Sequence, residues 1–465
     1  MMTAPALVAD STTQATPLVL LTTDTLPGWL EQQSEAIRNW VAGHCFTAAA
    51  GTSLAIPGPD GARLCILHGF SPAESLWAIA ALPDTLPAGT YRLETTGPVT
   101  LSAQDATRLA LGWSLGSYGF VRYKERKTTP ASLIWPDLAD HGEVARLAEA
   151  ICLARDLINT PAEDLGPAEL ARAATDVAAR HGATVEVIAG DDLLARNYPL
   201  IHAVGRASVR PPQLIDIRWG NPNARKVTLV GKGVCFDSGG LDIKPSTGMR
   251  LMKKDMGGAA TVLGLAAALM DLGLDIRLRV LIPAVENAIS GLAFRPGDIF
   301  KSRKGLTVEI GNTDAEGRLI LADALTEAAS EKPELLLDFA TLTGAARVAL
   351  GPDLPALFTP DDSLAEDLLR AGASCADPLW RLPLWKPYFK QIQSKSADLN
   401  NAGGDGGMAG AITAALFLEA FVEPGMAWAH IDTYAWNGSA RPGRPEGGEA
   451  LTLRAVYTLI RQRFG

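Results

Sequence analysis

The stretch that decides the fold is VGKGVCFDSGGLDIKPSTGMRLMKKDMGGAA, residues 230–260. An apolar, strand-like run ends in Lys232, and a glycine-rich turn with Asp237 follows before Lys244 and Asp255. A lysine at the end of a buried strand is costly unless its charge is paired or lost. Glycines let the backbone approach a tight site closely. The stretch therefore predicts a strand, a polar site and a small-residue helix in direct succession.

On both sides of this stretch, short apolar runs alternate with helix-like segments. The runs suit strands that are buried on both faces of a sheet. Strands are predicted at 214–217, 227–230, 278–282 and 335–339, and helices at 261–270, 319–329, 411–421 and 451–463. The pattern predicts an α/β domain over 161–465, with a central mixed sheet flanked by helices.

The first part of the chain alternates in the same way on a smaller scale. Strands are predicted at 18–21 and 64–67, and helices at 30–41, 73–82 and 103–115. We expect a small N-terminal α/β domain over 1–135, joined to the larger one by a connecting helix within 136–160. No glycine fingerprint follows its first strand, so nothing there predicts a dinucleotide site.

Composition excludes several classes of protein. The 465 residues are 47% hydrophobic and 20% charged, as in ordinary globular proteins and unlike disordered chains. The formal net charge is −9 and the sequence has no stripe of basic residues, so a nucleic-acid partner is not expected. The five cysteines are scattered, and we expect buried, reduced thiols. The apolar run 259–270 is too short to span a bilayer, so we expect a cytoplasmic protein without a membrane partner.

The individual residues of the first stretch also have ordinary interpretations. Lys232 fits a surface lysine at a strand end, and Asp255 fits the N-cap of the following helix. A phosphate-binding loop is excluded because Gly233 follows Lys232, where that motif requires serine or threonine.

A second informative stretch is GNTDAEGRLILADAL, residues 311–325. Thr313 and Glu316 match a capping box before an apolar run, which is the simplest interpretation of these residues. Asp314, Glu316 and Arg318 also recur at every second position, which in an extended segment would place them on one side. Two carboxylates that face one way repel each other and need a cation.

Together the two stretches supply four carboxylates without a nearby histidine: Asp237, Asp255, Asp314 and Glu316. Such an oxygen-rich donor set suits Mg²⁺, Mn²⁺ or a pair of Zn²⁺ ions held by bridging carboxylates. Two metals would balance the negative charge better than one. Lys232 could join as a neutral amine, while charged Lys244 and Arg318 would face negative charge that develops on a substrate.

These stretches resemble the leucyl aminopeptidase (cytosol aminopeptidase) family of dinuclear metallopeptidases. The matching text is VGKGVCFDSGGLDIKPS, MKKDMGGAA, NTDAEGRLILADAL and ATLTGA, without gaps inside the motifs. The resemblance extends from about residue 155 to the end of the chain. In the N-terminal part only the two-domain layout agrees with the family.

The resemblance implies a complete set of metal ligands and catalytic residues. One metal would be held by Asp237, Asp314 and Glu316, with the backbone carbonyl of Asp314 as a further ligand. Lys232, Asp237, Asp255 and Glu316 would hold the second metal. Lys244 and Arg318 would be catalytic, with a bicarbonate on Arg318 as general base. Two Mn²⁺ or Zn²⁺ ions per subunit and a homohexamer are further implications.

The side-chain pocket also follows from the resemblance. Met252, Thr341 and Gly344 align with pocket positions of the family, and Leu342 would contribute its backbone carbonyl. Tyr434, in the HIDTYAWN segment, departs from the usual small residues and would either narrow the pocket or lie elsewhere. In the same segment we interpret His430 as a core histidine with satisfied partners.

The leading hypothesis is therefore a metal-dependent aminopeptidase that acts on peptides with a free N-terminus through a water activated by two metals. A two-metal phosphohydrolase remains an alternative, because carboxylates with lysine and arginine also suit phosphoryl transfer. A DNA-binding or scaffolding role is a third hypothesis, which the net charge disfavours.

Overall fold

The computed structural model describes residues 6–9, 15–58, 63–94, 97–403 and 408–465. The chain forms two compact units. The first comprises Met1–Cys152 and Gly438–Glu446, and the second comprises Leu153–Asn437 and Gly447–Gly465. The domain boundaries at residues 135 and 160 stay predictions.

The first unit contains a six-stranded sheet in the order β1-β6-β5-β2-β4-β3, parallel except for β3. Its strands are β1 (Leu7–Val8), β2 (Thr16–Leu21), β3 (Ser53–Pro57), β4 (Arg63–Gly69), β5 (Thr90–Leu93) and β6 (Ser132–Ile134). Its helices are α1 (Leu26–Glu31), α2 (Glu35–Gly43), α3 (Leu82–Thr85) and α4 (Ala103–Gly116), and α5 (His141–Asn159) begins in it. Alternate residues of β2 enter two apolar clusters, so this sheet is covered on both faces.

Two of the helices predicted in the first unit are wrong. The segment 30–41 forms two helices, because Ser34 accepts a hydrogen bond from the amide of Ile37 and caps a new helix there. The segment 73–82 holds a short 3₁₀ turn at Pro72–Glu74, and α3 begins only at Leu82. The helix at 103–115 and both strands are confirmed.

The second unit contains a nine-stranded mixed sheet in the order β16-β15-β18-β14-β9-β11-β8-β7, with β10 paired to β11. Its strands are β7 (Thr184–Ala189), β8 (Gln213–Gly220), β9 (Arg225–Gly231), β10 (Gly233–Asp237), β11 (Ile276–Asn287), β12 (Ile299–Lys301), β13 (Thr307–Glu309), β14 (Leu335–Ala340), β15 (Ala356–Phe358), β16 (Trp380–Arg381), β17 (Leu399–Asn400), β18 (Trp428–Asp432), β19 (Trp436–Asn437) and β20 (Gly447–Gly448). Of these, β12, β13 and β17 form a separate small sheet, and β19 pairs with β20.

Helices flank this large sheet. They are α6 (Pro167–His181), α7 (Asp192–Ala195), α8 (Pro199–Gly205), α9 (Ser246–Met249), α10 (Gly257–Leu272), α11 (Glu316–Ser330), α12 (Gly344–Leu350), α13 (Asp362–Ser374), α14 (Gly410–Glu419) and α15 (Leu453–Phe464). Both α10 and α11 pack against β9 and β14, and all six residues of β14 are buried. The predicted α/β architecture with a mixed central sheet is confirmed, as are the strands and helices predicted for this unit.

A buried polar cluster joins β14 to its neighbour β18. Asp338 pairs in register with His430, and its carboxylate accepts hydrogen bonds from His430 Nδ1 at 2.6 Å and Trp428 Nε1 at 2.8 Å. Burial lowers the pKa of His430, but the Asp338 carboxylate more than offsets this and raises it above its usual value. His430 is thus a core residue, although its Nε2 has no hydrogen-bond partner within the described ranges.

The cysteines and the longest apolar helix are described by their burial. Cys65, Cys152 and Cys235 are buried, as expected, but Cys45 is exposed and Cys375 is half-buried. Residues Met252–Leu272 are long and apolar enough to cross a membrane, yet 83% of their most apolar window is buried inside the protein. This burial is typical of a core helix.

A fully buried ion pair ties α5 to the segment after β20. Arg155 is 0% exposed, and its guanidinium donates to both carboxylate oxygens of Glu449, at 2.9 Å to Oε2. Burial raises the pKa of Glu449, but Arg155 and a hydrogen bond from Asn437 outweigh this and hold it below its usual value. Loss of Arg155 would leave a buried carboxylate without its cation.

We predict that Arg155→Met lowers the free energy of unfolding by about 3–5 kcal/mol, because it leaves Glu449 uncompensated. Arg172→Met is the matched control, since that side chain is 70% exposed and lies 3.9 Å from its partner Glu169. We expect the control to change stability by less than about 0.5 kcal/mol. Urea unfolding followed by circular dichroism checks this, and equal shifts for the two variants would contradict it.

Candidate active site

The candidate site lies where the central parallel strands end. β9, β11, β14 and β18 run in the same direction, so their C-terminal ends meet at one edge of the sheet. Lys232 follows β9, Thr341 follows β14, and Asn287 and Asp432 end β11 and β18. Ligands of open α/β sheets bind at this edge, outside the carboxyl ends of the strands.

A cavity of about 460 Å³ opens at this edge. Both stretches singled out in the sequence reach it, as does the loop after β14. All eleven residues proposed from the sequence line the cavity, namely Lys232, Asp237, Lys244, Met252, Asp255, Asp314, Glu316, Arg318, Thr341, Leu342 and Gly344. The fold thus brings together side chains that are far apart along the chain.

Three buried carboxylates converge at the floor of this cavity. Oxygen atoms of Asp237, Asp255 and Glu316 all lie within 4.8 Å of one another, and each of the three residues is at most 3% exposed. Asp314 lines the same cavity, but its side chain is 32% exposed. Like charges this close repel one another strongly when they are buried.

Two lysines interleave with these carboxylates. Lys232 Nζ lies 2.8 Å from Asp255 Oδ2 and 3.0 Å from Glu316 Oε1, and it donates to the carbonyl of Thr341. Lys244 Nζ lies 2.8 Å from Asp237 Oδ2 and also pairs with Asp314. The positive charge that compensates these carboxylates therefore comes from Lys232 and Lys244 of the first motif, and not only from Arg318 of the second.

The close approach of these carboxylates raises the pKa values of two of them. Burial, together with Asp237 and Asp255, raises the pKa of Glu316 to about 8, although Lys232 opposes the rise. Burial and Asp237 likewise raise the pKa of Asp314 to about 6. For Lys232 burial acts to lower the pKa, but the surrounding carboxylates outweigh it and raise it. Further positive charge at this position would favour the ionised carboxylates.

The donor set fits divalent metal ions. Glu316 Oε2 is buried and has no hydrogen-bond partner in the part of the chain that the structure describes. A buried, unpartnered carboxylate oxygen is costly, and coordination of a cation would satisfy it. Carboxylate oxygens with one amine suit Mn²⁺, Mg²⁺ or Zn²⁺.

Glycines allow the close approaches that build this cluster. Gly317, at the start of α11, lies so near Lys232 that a Cβ there would come within 2.6 Å of its Nζ. Gly239 has a φ of +88°, and a Cβ there would lie 2.5 Å from the carbonyl of Asp242. Gly239 is required by its backbone conformation, whereas a side chain at position 317 would displace the Lys232 ammonium from its carboxylates.

The structure excludes the ordinary interpretations of the two motifs. Asp255 lies within the 3₁₀ turn Met252–Met256, so it is not the N-cap of α10, which is Met256. No capping box forms at Thr313, because its hydroxyl donates to the carbonyl of Gly239 and helix α11 begins after Ala315. The extended alternation through Arg318 is also wrong, since Glu316 already starts the helix.

Arg318 is held from the far side of the cavity. It is 7% exposed, and its Nη1 donates to the carbonyl of Asn401 at 2.6 Å. Its Nε is buried without a hydrogen-bond partner among the described residues. Burial lowers the pKa of Arg318 to about 10, so the guanidinium stays charged at neutral pH.

Two positioning residues escaped the sequence analysis. Asn287 Nδ2 donates to Asp237 Oδ1 at 2.9 Å and to the carbonyl of Thr313 at 3.0 Å, which joins the two motifs. Asp432 accepts hydrogen bonds from the amides of Leu342 and Thr343, which holds the loop after β14. Neither residue has a signal in the sequence, because β11 extends to Asn287 beyond the strand predicted at 278–282 and no strand is predicted where β18 ends at Asp432.

Lys254, Arg347 and Tyr434 also line the cavity. Tyr434 thus contributes to the cavity wall. Lys254 Nζ lies 4.4 Å from the centre of the Tyr434 ring, and the guanidinium of Arg347 lies 5.1 Å from it. Burial lowers the pKa of Lys254 to about 8, with Asp255 opposing this shift.

Comparison with protein families identifies the chain. The model of the cytosol aminopeptidase catalytic domain matches residues 152–460, and the N-terminal domain model of the same family matches 16–136. The chain belongs to the cytosol aminopeptidase family. The family resemblance read from the motifs is confirmed, and it extends into the N-terminal part, where no motif had indicated it.

Individual cytosol aminopeptidases agree with this membership. A probable cytosol aminopeptidase of Syntrophotalea carbinolica is 43% identical over 372 residues, which cover 76% of this chain and 74% of the relative. The crystal structure of the cytosol aminopeptidase from Coxiella burnetii is 49% identical, with a TM-score of 0.95 over 99% of this chain and 100% of that one. The bottromycin maturation enzyme BotP, in complex with Mn, is 34% identical, with a TM-score of 0.87 over 97% and 99% of the two chains. The chain is thus an enzyme of a metal-dependent aminopeptidase family.

We predict that Asn287→Ala weakens Mn²⁺ binding about 10- to 100-fold, because Asp237 loses one of the two hydrogen bonds that orient its Oδ1. Isothermal titration calorimetry of the metal-stripped protein measures this. Asn221→Ala is the control, since Asn221 is an exposed asparagine that donates to Asp275 at 3.1 Å. Unchanged Mn²⁺ affinity in a folded Asn287→Ala protein would contradict the prediction.

Proposed function

We propose that the protein hydrolyses the N-terminal residue from unblocked peptides and that it uses two divalent metal ions for this reaction. The observation that carries the proposal is the convergence of Asp237, Asp255 and Glu316 within 4.8 Å in a cavity that Lys244 and Arg318 also line. Two cations at this position would supply Lewis-acid chemistry, activating a shared water and polarising the scissile carbonyl.

The proposed ligands divide into two overlapping sets. Asp237, Asp314 and Glu316 would hold one ion, with the backbone carbonyl of Asp314 as a further ligand. Lys232, Asp237, Asp255 and Glu316 would hold the other, so Asp237 and Glu316 would bridge. The unpartnered Glu316 Oε2 supports this assignment. Mn²⁺ or Zn²⁺ would serve, and the Mn complex of BotP favours manganese.

Lys232 would act as an amine ligand. Its Nζ lies within 3.0 Å of both Asp255 and Glu316, so a cation shared by these carboxylates would lie beside it. Neighbouring positive charge and burial both lower a lysine pKa, which favours the neutral amine.

Lys244 and Arg318 would stabilise and transfer charge during the reaction. Lys244, whose ammonium contacts Asp237 and Asp314, would donate a hydrogen bond to the oxyanion of the tetrahedral intermediate. Arg318 would hold a bicarbonate that carries the proton to the leaving amine. The buried Nε of Arg318 supports an anion there, since it has no hydrogen-bond partner among the described residues.

Substrate selection would depend on the wall beside the metal ligands. Met252, Thr341 and Gly344 would surround the side chain of the N-terminal residue, and the backbone carbonyl of Leu342 would accept a hydrogen bond from the substrate. Thr341 is already oriented, because its hydroxyl donates to Asp255 Oδ1 at 2.8 Å. A free substrate amine at one metal would restrict the enzyme to exopeptidase activity.

The cellular setting follows from the family. The relatives are named cytosol aminopeptidases, which favours a cytoplasmic protein. A homohexamer rests on the family resemblance.

We predict that the Mn²⁺-loaded protein releases the first residue of an unblocked peptide and leaves its N-acetylated form intact. Dialysis against EDTA should abolish cleavage, and Mn²⁺ or Zn²⁺ should restore it, because the carboxylate cluster alone cannot activate water. Mass spectrometry of the products checks this. Equal cleavage of the blocked peptide would contradict the proposal, and release of phosphate from simple esters without peptide cleavage would favour a phosphohydrolase instead.

We predict that Lys244→Met lowers kcat about 10²- to 10³-fold while the protein still binds Mn²⁺. The ammonium is not a proposed ligand, and its removal takes positive charge away from the cation site. Glu316→Gln is the matched comparison, since it should lose both activity and Mn²⁺ affinity. Steady-state kinetics and metal titration of both variants separate these effects, and a Lys244→Met enzyme with kcat within about threefold of the parent enzyme would refute the role of Lys244.

A further inference from the structure

One wall of the cavity carries positive charge that the reaction described above does not use. Lys254 lines the cavity, lies in the 3₁₀ turn between Met252 and Asp255, and is only 5% exposed. Arg347 and Tyr434 line the cavity beside it. We call these three residues, Lys254, Arg347 and Tyr434, the cationic wall.

The ammonium of Lys254 is buried beside an aromatic ring. Across the described ranges 6–9, 15–58, 63–94, 97–403 and 408–465, no carboxylate lies within ion-pair distance of its Nζ. Its closest defined contact is the Tyr434 ring, whose centre is 4.4 Å away. Lys232, which lines the same cavity, contacts two carboxylates. A ring face compensates a buried ammonium less completely than a direct ion pair does.

The acidic residues nearest to Lys254 are bound elsewhere. Asp255 contacts Lys232 and accepts a hydrogen bond from Thr341. Asp432 accepts hydrogen bonds from the loop amides after β14 and from the hydroxyl of Thr343. Neither side chain forms an ion pair with Lys254 among the described residues, although both lie close enough to favour its charged form.

Arg347 adds a second cation to the same ring. Its Nη1 donates to Tyr434 Oη at 3.4 Å, and its guanidinium lies 5.1 Å from the ring centre. Arg347 is exposed and Lys254 is buried, so positive charge extends along this wall from solvent into the cavity.

We propose that the cationic wall binds the side-chain carboxylate of an acidic N-terminal residue, glutamate or aspartate, and that Lys254 is its direct partner. The proposal rests on the proposed aminopeptidase function and names the substrate class for that site. Lys254 is two residues from Met252 in the wall proposed to surround the first side chain. A carboxylate from the substrate would supply the negative counter-charge that Lys254 lacks. Arg347 would attract this carboxylate at the entrance of the cavity.

The test compares glutamyl, glutaminyl and leucyl amides as substrates of the Mn²⁺-loaded enzyme. Glutamate and glutamine have the same size, so their ratio of kcat/KM isolates the effect of charge. We expect the parent enzyme to prefer glutamate by about tenfold or more, and Lys254→Met to lower the glutamyl-to-glutaminyl ratio about 100-fold.

Lys253→Met is the matched control, because it removes the same charge one residue away. Its Nζ donates to the carbonyl of Asn159 at 2.6 Å, and Lys253 is absent from the cavity lining. The glutamyl-to-glutaminyl ratio should stay at the parent value in this control. A proportional loss of both activities in Lys254→Met, or the same ratio in both variants, would overturn the inference.

A measurement on the parent enzyme covers the case in which Lys254→Met fails to fold. Free L-glutamate should inhibit leucyl amide hydrolysis at a lower concentration than L-glutamine does. Stronger inhibition by glutamine, or faster cleavage of glutaminyl than glutamyl amide, would overturn the inference. Absence of cleavage for all three amides would instead contradict the proposed aminopeptidase function.

Discussion

Negative charge that is concentrated at one edge of a sheet is the constraint on which the candidate site depends. Asp237, Asp255 and Glu316 are buried so close together that they cannot all be ionised without compensating cations. Lys232 and Lys244 supply part of that compensation from two different segments. The surrounding features, including the glycine at 317, serve to bring these opposite charges into contact.

Much of the fold could be predicted because its signal is local. The strands of the large sheet are short apolar runs, and their burial on both faces makes that pattern unambiguous. Prediction failed in the N-terminal unit at 30–41 and 73–82, where apolar residues continue across a helix boundary. In these segments a capping serine and prolines determine where the helices begin. The spacing of apolar residues does not reveal such boundaries.

For the site, too, the residues that lie in local motifs could be predicted from the sequence, and those defined by distant contacts could not. The two motifs contain the charged residues without gaps, so every proposed metal ligand, together with Lys244 and Arg318, could be named before the fold was known. Asn287 and Lys254 could not, because their roles depend on contacts with Asp237 and Tyr434, which lie far away in sequence. The capping-box interpretation of Thr313 failed for a related reason, since its hydroxyl bonds to a residue of the other motif.

The buried Asp338 cluster makes the active site depend on residues that lie outside it. Its hydrogen bonds to Trp428 and His430 align two strands whose ends carry the loop at Thr341 and the carboxylate of Asp432. A slip by one residue would reverse the faces of a strand and shift its end by about 3.3 Å. Substitutions at Asp338 or His430 would therefore impair the enzyme although neither residue lines the cavity.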